Sequence, residues 1–505
     1  MMAQARSMGG TRLAEILRGE AEIPPSRDMP LQGLALDSRE VRPGYLFLAI
    51  RGHAHHGLKH LADARAHGAV AVAYDPEGAV KYLPALKGLP AFAVRALDQH
   101  AGLMAARFYG DPSITQNVMA VTGTNGKTSV SLITAQILTE LGKPCGHLGT
   151  LGYGLYGKLE EPTHTTPDAV NVQRWLARFR DWRAHYVSME ASSHALDQGR
   201  MQGVHVTVAV FTNLTRDHLD YHGSMESYAA AKRRLFEMPG LKYAVINLDD
   251  TFGRELARTL PSGVECIGCM LESVHPTQGR SLRATHLALH SGGMRFDVEG
   301  DFGSGHIDSH LLGQFNVQNL LLVLGVLLAL DIPFAEALQA VSLARTVPGR
   351  MQCFGGHAPQ PLVVVDYAHT PDALEKALTA ARAHCNGQLW CVFGCGGERD
   401  RGKRPQMGAI TERLADWIIV TDDNPRHEDG DAIVAEILAG IHERKRVRVQ
   451  RDRAQAIAYA IHAAAAQDVV LVAGKGHENY QVIGDRNLPY SDRDAVMALL
   501  KGAGP

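Results

Sequence analysis

The segment Val121-Thr122-Gly123-Thr124-Asn125-Gly126-Lys127-Thr128-Ser129 has the residue types of a phosphate cradle. Glycines let backbone N–H groups turn toward an anion. Lys127 can reach β- and γ-phosphates, and the Thr128 hydroxyl can ligate Mg²⁺. A helix opening at this point adds a positive partial charge from its N-terminus. The strict phosphate-loop pattern wants glycine at position 121, where this chain has valine, so the loop is a shortened variant. The bland alternative is an ordinary strand-to-helix turn.

Further polar groups stand where predicted strands end. Met189-Glu190-Ala191-Ser192-Ser193-His194 closes one strand, and a carboxylate there can face the phosphate loop and hold a cation. Near the carboxyl end, Gly394 to Pro405 is a glycine-rich turn full of guanidinium groups. Asp423-Asn424-Pro425-Arg426 and Gly474-Lys475-Gly476-His477-Glu478 each follow a further strand. Arg399 and Arg426 can grip carboxylates through planar forks, while Asp423 and Glu478 can accept ammonium hydrogens. Together these suit a small molecule carrying both carboxylate and ammonium groups.

The elements that must position these groups follow from hydrophobic patterning. The chain has 505 residues, enough for about three domains, and 45% hydrophobic residues, enough for several cores. A net charge of −2 gives no sign of a nucleic-acid or membrane surface. Residues 1–20 lack the long apolar run of a secretory signal, and Leu320 to Leu330 is too short to span a bilayer. Seven irregularly spaced cysteines fit a reducing cytoplasm. Cys266 and Cys269 have zinc-knuckle spacing without further ligands, so no metal is expected there.

Residues 1–112 read as a small α/β domain, with strands at 34–37, 45–50 and 69–73. Residues 113–346 alternate strand and helix, which predicts a doubly wound, mostly parallel central sheet of phosphate-loop type. The strands fall at 118–121, 186–190, 206–211 and 243–246, with helices at 129–141 and 315–329. A small antiparallel insert is expected at about 263–310. Residues 347–505 form a third, Rossmann-like α/β domain with strands at 362–366, 389–393, 417–421 and 469–473. The fold class is therefore α/β throughout.

The loop Gly123 to Thr128 resembles the ATP loop of the Mur ligases and of their folylpolyglutamate synthetase relatives. Other motifs follow in the family's order and cover essentially the whole chain: Asn213-Leu-Thr-Arg-Asp217-His218, Tyr228 to Phe236, Gly313-Gln-Phe-Asn316 and Asp366-Tyr-Ala-His369-Thr370-Pro371. The resemblance implies ATP binding by Gly123, Thr124, Asn125, Gly126, Lys127, Thr128 and Ser129. It adds Asn316 and Asn319 near the adenine, with Arg350, Asp366 and His369 at the nucleotide. It implies Mg²⁺ held by Thr128, Glu190, His218 and a CO₂-derived carbamate on Lys232 (an N6-carboxylysine), and a catalytic set of Lys127, Lys232, Glu190 and His218. Thr370 stands where the family usually has Asn.

In the family, Leu36, Ser38, His53, Ala54 and His55 match a uridine-diphosphate pocket. His164, Thr165, Thr166, Ser192, Gln198 and Arg200 match contacts to the sugar-peptide, although the family often has Asn at position 164. Asp423 to Arg426 resembles the diaminopimelate-adding members, which implies diaminopimelate binding by Arg399, Asp423, Asn424, Pro425, Arg426, Gly474 and Glu478.

The implied substrates are ATP, meso-2,6-diaminopimelate and UDP-N-acetylmuramoyl-L-alanyl-D-glutamate. The implied product belongs to peptidoglycan precursor synthesis, in a cytoplasmic enzyme expected to be a monomer with no nucleic-acid or membrane partner. Because these site residues come from different predicted domains, catalysis should need domain closure. The alternatives are a lysine-adding ligase, another step of the family, a folylpolyglutamate synthetase, a phosphate-loop NTPase switch or motor, and a nucleotide-binding module without catalysis.

Overall fold

The computed structural model describes residues 11–52, 55–271, 279–290 and 292–501. The chain divides into two compact units: one runs up to Ser281 and includes Gly325–Asp331, and the other comprises Leu282–Leu324 and the chain from Ile332 onward. Among the described residues no helix is long and apolar enough to cross a membrane.

The first unit contains two sheets. Gly33–Ala35, Tyr45–Ala49, Ala69–Tyr74 and Ala91–Ala93 lie in that order, all parallel. Between the second and third of these strands a 3₁₀ turn at Gly57–His60 runs into an α-helix at Leu61–Ala66.

The larger sheet has six parallel strands in the order Glu265–Met270, Tyr243–Asn247, Val208–Phe211, Asn117–Thr122, Tyr186–Glu190 and Cys145–Gly149. Gly152–Leu155 and Lys158–Glu160 extend it antiparallel. Its strands at 117–122, 208–211 and 243–247 are buried runs rich in Val, Ala, Met and Ile, as a sheet covered on both faces requires.

From Asn117–Thr122 the chain crosses to Cys145–Gly149 toward one edge of the sheet, whereas from the adjacent Tyr186–Glu190 it crosses to Val208–Phe211 toward the other. The phosphate loop therefore opens at a topological switch point, where open α/β sheets bind ligands. The glycine-rich strands between 145 and 155 gave no apolar alternation and were not expected. The insert expected from about 263 begins later than patterning suggested, because Glu265–Met270 pairs parallel with Tyr243–Asn247. Cys266 and Cys269, three apart on this strand, point to opposite faces of the sheet.

The second unit holds, from Leu282 onward, the strand Arg280–His290 and, antiparallel in turn, Gly293–Gly300 and Gly303–Ser309. Its main sheet has the order Gln352–Gly355, Leu362–Asp366, Val469–Ala473, Leu389–Phe393, Trp417–Val420 and Val447–Val449, parallel except at the first strand. Two apolar layers flank it, one around Leu374, Leu378 and Met407, the other around Ile457 and Ile461. A two-stranded ribbon, Tyr480–Ile483 with Arg486–Pro489, follows the last parallel strand. Its residues are largely exposed, so it carried no core signal in the sequence.

Candidate active site

The phosphate loop leaves the strand Asn117–Thr122 and enters the helix Lys127–Glu140. Gly123 is glycine for want of room: a Cβ there would lie 1.8 Å from Thr212 Oγ1, with φ at +148°. The loop is braced by the neighbouring strand's exit. Thr124 N donates to Asn213 O at 2.8 Å, Asn125 N donates to Asn213 Oδ1 at 2.9 Å, and Thr212 Oγ1 donates to Asn125 O at 2.5 Å. Thr212 and Asn213 were not singled out as site residues. Their signal was the Asn213-Leu-Thr-Arg run immediately after a buried strand.

Lys127 Nζ folds back to donate to Gly123 O and Thr124 O, both at 2.9 Å. Lys232 Nζ, on the helix Met225–Arg233, donates to the same Gly123 O at 2.8 Å and lies 4.3 Å from the Tyr228 ring centroid. Lys232 is almost fully buried. Burial, then repulsion from Lys127, holds its pKa well below 10.5, against the opposing pull of Asp217. The Tyr228 hydroxyl is hydrogen-bonded to Thr124 Oγ1 at 3.1 Å, and burial pushes its pKa up to about 12.

Glu190, fully buried at the end of Tyr186–Glu190, accepts from Thr128 Oγ1 at 3.0 Å. Thr150 N donates to its other oxygen at 2.7 Å, and Thr150 Oγ1 approaches Oε2 at 3.3 Å. Thr150 is another residue patterning missed, because it lies in the unexpected glycine-rich turn. His218 adopts a left-handed backbone, φ +52°, with Nε2 3.5 Å from Asp217. Its ring meets that of His194 edge-on at 4.9 Å.

Several residues expected to touch a sugar-peptide also have structural duties. Thr166 Oγ1 donates to Glu190 O at 2.7 Å, and Thr165 Oγ1 accepts from Thr150 at 3.1 Å. Ser192 caps the helix Ser193–Asp197. Arg200 bonds Gln198 and Thr166 O, and Gln198 reaches the Tyr221 hydroxyl at 3.1 Å. His164 is exposed, with its amide donating to the Tyr153 hydroxyl. In the four-stranded region Ser38 is buried, and Asp37 accepts from Arg39 N at 2.9 Å. The Arg39 guanidinium holds the Asp37 carboxyl below its usual range. Leu36 is partly buried and His55 exposed, while His53 and Ala54 lie outside the described residues.

In the second unit, Asn316 and Asn319 share one face of Gln314–Ala329. Asn319 Nδ2 donates to Asn316 Oδ1 at 2.8 Å, and Asn316 Nδ2 donates to Leu312 O at 2.8 Å. Asp366 accepts from Met351 N at 2.7 Å and from Ala368 N at 2.8 Å, and burial raises its pKa. The Arg350 guanidinium lies over the Tyr367 ring at 4.8 Å, and the rings of His369 and His477 stand against the same tyrosine. Thr370 caps the helix Pro371–Ala383.

The strand ends of the six-stranded sheet bring the remaining groups together. Asn424 Nδ2 donates to Glu478 Oε2 at 3.1 Å. A Cβ at Gly474 would lie 2.6 Å from Asp423 Oδ2, so these two expected residues adjoin. Arg426, with left-handed φ of +53°, donates from Nη1 to Gly397 O at 2.7 Å. The exposed ribbon clamps this loop: Arg426 N donates to Val482 O at 3.0 Å, and Gln481 Nε2 to Asp423 O at 2.7 Å.

Pro425 is buried within the loop. The guanidinium-rich turn splits by environment. Arg404 is fully buried and braces Gly396 O, Glu428 and Glu436, whereas Arg399 is exposed and makes no ion pair among the described residues.

The Mur ligase family, catalytic domain, matches residues 30–108. The Mur ligase middle domain matches 121–327, and the Mur ligase, glutamate ligase domain, matches 349–476. The chain belongs to the Mur ligase family.

Among relatives of this ligase, the UDP-N-acetylmuramoyl-L-alanyl-D-glutamate–2,6-diaminopimelate ligase of Alkalilimnicola ehrlichii is 48% identical, over 97% of this chain and 98% of that one. The enzyme of that name from Pseudomonas aeruginosa is 50% identical over 92% of this chain and 94% of its own length. A solved structure of a UDP-N-acetylmuramoyl-L-alanyl-D-glutamate–2,6-diaminopimelate ligase is 36% identical, with a TM-score of 0.73, covering 98% of this ligase and 99% of that chain. The Mur ligase fold, with N-terminal, central and C-terminal domains of α/β class, is thus the fold of this chain.

Proposed function

We propose that this Mur ligase joins meso-2,6-diaminopimelate to the γ-carboxylate of the D-glutamate in UDP-N-acetylmuramoyl-L-alanyl-D-glutamate, at the expense of ATP. The observation that carries the reading is the cluster of Asp423, Asn424, Arg426, Gly474 and Glu478 around one set of strand ends. Diaminopimelate has two amino-acid ends. One amine is the nucleophile, and the far end keeps a carboxylate for Arg426 and Arg399 and an ammonium for Glu478 and Asp423. The near-full-length relatives bear the name of this activity.

Residues 1–112 take the uridine-diphosphate end through Leu36, Ser38 and the 53–55 segment. Residues 113–346 hold the triphosphate and the sugar-peptide, and residues 347–505 hold the amino acid and, through Arg350, Asp366 and His369, part of the nucleotide. Asn316 and Asn319 face the adenine.

The D-glutamate γ-carboxylate oxygen attacks the γ-phosphorus of ATP, and ADP leaves. The free amine of diaminopimelate attacks the acyl carbon, the tetrahedral intermediate expels phosphate, and the amine's surplus proton passes to solvent. Lys127 lies in reach of the transferred phosphoryl group, and the loop amides from Gly123 to Ser129 orient it. Catalysis is then positioning and electrostatic stabilisation without a protein nucleophile.

The residues present fit Mg²⁺. No cluster of three acidic, histidine or cysteine ligands exists among the described residues. Mg²⁺ bound with a nucleotide needs only one or two protein oxygens, and Thr128 and Glu190 meet at 3.0 Å. His218 and Lys232, as its carbamate, would complete the set. Mg²⁺ would supply charge neutralisation at the phosphates. Lys232 suits carbamate formation, because a buried amine with a lowered pKa offers its lone pair to CO₂. The enzyme acts as a cytoplasmic monomer, supporting cell-wall growth and division.

The test is product formation from the UDP-dipeptide and ATP with either meso-diaminopimelate or L-lysine. Product with diaminopimelate and little with lysine is the expected result. Equal use of lysine removes the substrate assignment, and nucleotide turnover independent of any amino acid removes the ligase reading.

A further inference from the structure

Lys475 has no part in the chemistry above, yet it is among the largest fully buried side chains of the chain. A buried ammonium is costly unless paired and hydrogen-bonded. Here the pairing connects two functional segments. Lys475 Nζ donates to Glu478 Oε2 at 2.8 Å, one turn along its own loop, and to Asn424 Oδ1 at 3.1 Å, across from another strand end.

Each contact removes a freedom. Asn424 Oδ1 accepts from Lys475 and from Val482 N at 2.9 Å, so its amide can point only one way, with Nδ2 donating to Glu478 Oε2. Glu478 Oε2 thus takes two donors, while Oε1 accepts from none of the described residues. The carboxylate is held by one oxygen and presents the other. The turn that allows this is tight: Gly476 has φ +53°, and a Cβ there would lie 2.7 Å from Gly349 O and from Tyr367 Cβ.

We propose that Lys475 is a positioning residue for amino-acid recognition, locking Asn424 and Glu478 so that one Glu478 oxygen meets the far ammonium of the incoming diamino acid. The inference rests on the ligase reading given above. It predicts that losing Lys475 weakens capture of the amino acid specifically, because nothing it holds belongs to the phosphate loop or the uridine end.

The experiment uses the full chain, with K475M and K475R, and measures KM for diaminopimelate, ATP and the UDP-dipeptide separately, together with kcat. Loss of two charge-assisted bonds to recognition residues should raise the diaminopimelate KM of K475M at least about tenfold, with the other two KM values within about twofold. K475R, which keeps the charge and donors, should recover part of the loss. A diaminopimelate KM unchanged in K475M overturns the inference, as does a common rise in all three KM values, the mark of a merely structural lysine.

If K475M does not fold, K475Q replaces it under the same criteria. Failure of the ligase reading is separate and appears in the unsubstituted enzyme. If that uses lysine instead, the role of Lys475 is read on the lysine KM. If it makes no amide at all, both readings fall.

Discussion

Lys127 and Lys232 donate to a single acceptor, the carbonyl oxygen of Gly123, at 2.9 and 2.8 Å. Two amines of the same sign converge on one peptide oxygen at the entrance of a phosphate loop. That geometry suits an anion bridging them, and it is an unfavourable place for Lys232 to carry a proton.

The stability consequence has a definite sign. The folded pKa of Lys232 is well below 10.5, so between that value and 10.5 the unfolded chain binds the extra proton. The group's contribution to stability therefore rises with pH through this window. Lys232→Met should have a melting temperature at or above that of the parent near pH 7, and the difference should shrink as pH rises. Ligase activity should fall about 100-fold or more. In ¹³C-bicarbonate the parent should show a carbamate resonance that K232M lacks. A destabilised K232M, with no labelled carbamate in the parent, would leave Lys232 a plain structural residue.

Thr128 Oγ1 donates to Glu190 Oε2 at 3.0 Å. Glu190→Gln keeps the shape and loses the charge. Expected is a fall in kcat of about 100-fold or more and a higher Mg²⁺ requirement, read from titrations of activity against Mg²⁺. An unaltered Mg²⁺ curve would argue that the carboxylate serves only Thr128 and Thr150.

Arg426 makes its side-chain bond to a backbone carbonyl, not to a carboxylate, so its charge remains for a ligand. Arg426→Ala should raise the KM for diaminopimelate by about 10- to 100-fold, the worth of a charged hydrogen bond. The melting temperature should move little. Arg426→Lys should recover only part, since a lysine cannot form the planar fork. Steady-state kinetics with each substrate varied in turn decides this.

Arg453 and Asp492 form a wholly buried pair, Nε to Oδ1 at 2.7 Å and Nη2 to Oδ2 at 2.8 Å, and Arg453 also reaches Ala473 O at 2.9 Å. Removing one partner strands the other. Arg453→Met should cost about 3–5 kcal/mol in urea unfolding. By contrast, Arg39, exposed beside Asp37, should be replaceable by Ala with no resolvable loss of stability. Comparable losses at the two sites would contradict the burial argument.

The parallel strands at 117–122, 362–366 and 469–473 were legible because buried strands are near-continuous runs of Val, Ala, Leu and Met. The strands at 145–149 and 152–155 were not, since glycine there answers to the close approach of Phe179, Leu159 and backbone. The ribbon at 480–489 is exposed on both strands and has no apolar period to read.

By itself the sequence determined the phosphate loop, the carboxylate after its strand and the Asp-Asn-Pro-Arg turn, because each is a local run whose chemistry follows from residue type and from the strand before it. The tertiary structure alone decided which polar side chains remain available. Arg404 turns inward while Arg399 stays exposed, Asp366 spends both oxygens on backbone amides, and Lys475 is buried between Asn424 and Glu478. Those outcomes depend on partners supplied by strand order and by tight glycine turns, and a buried charge survives only where such partners meet it.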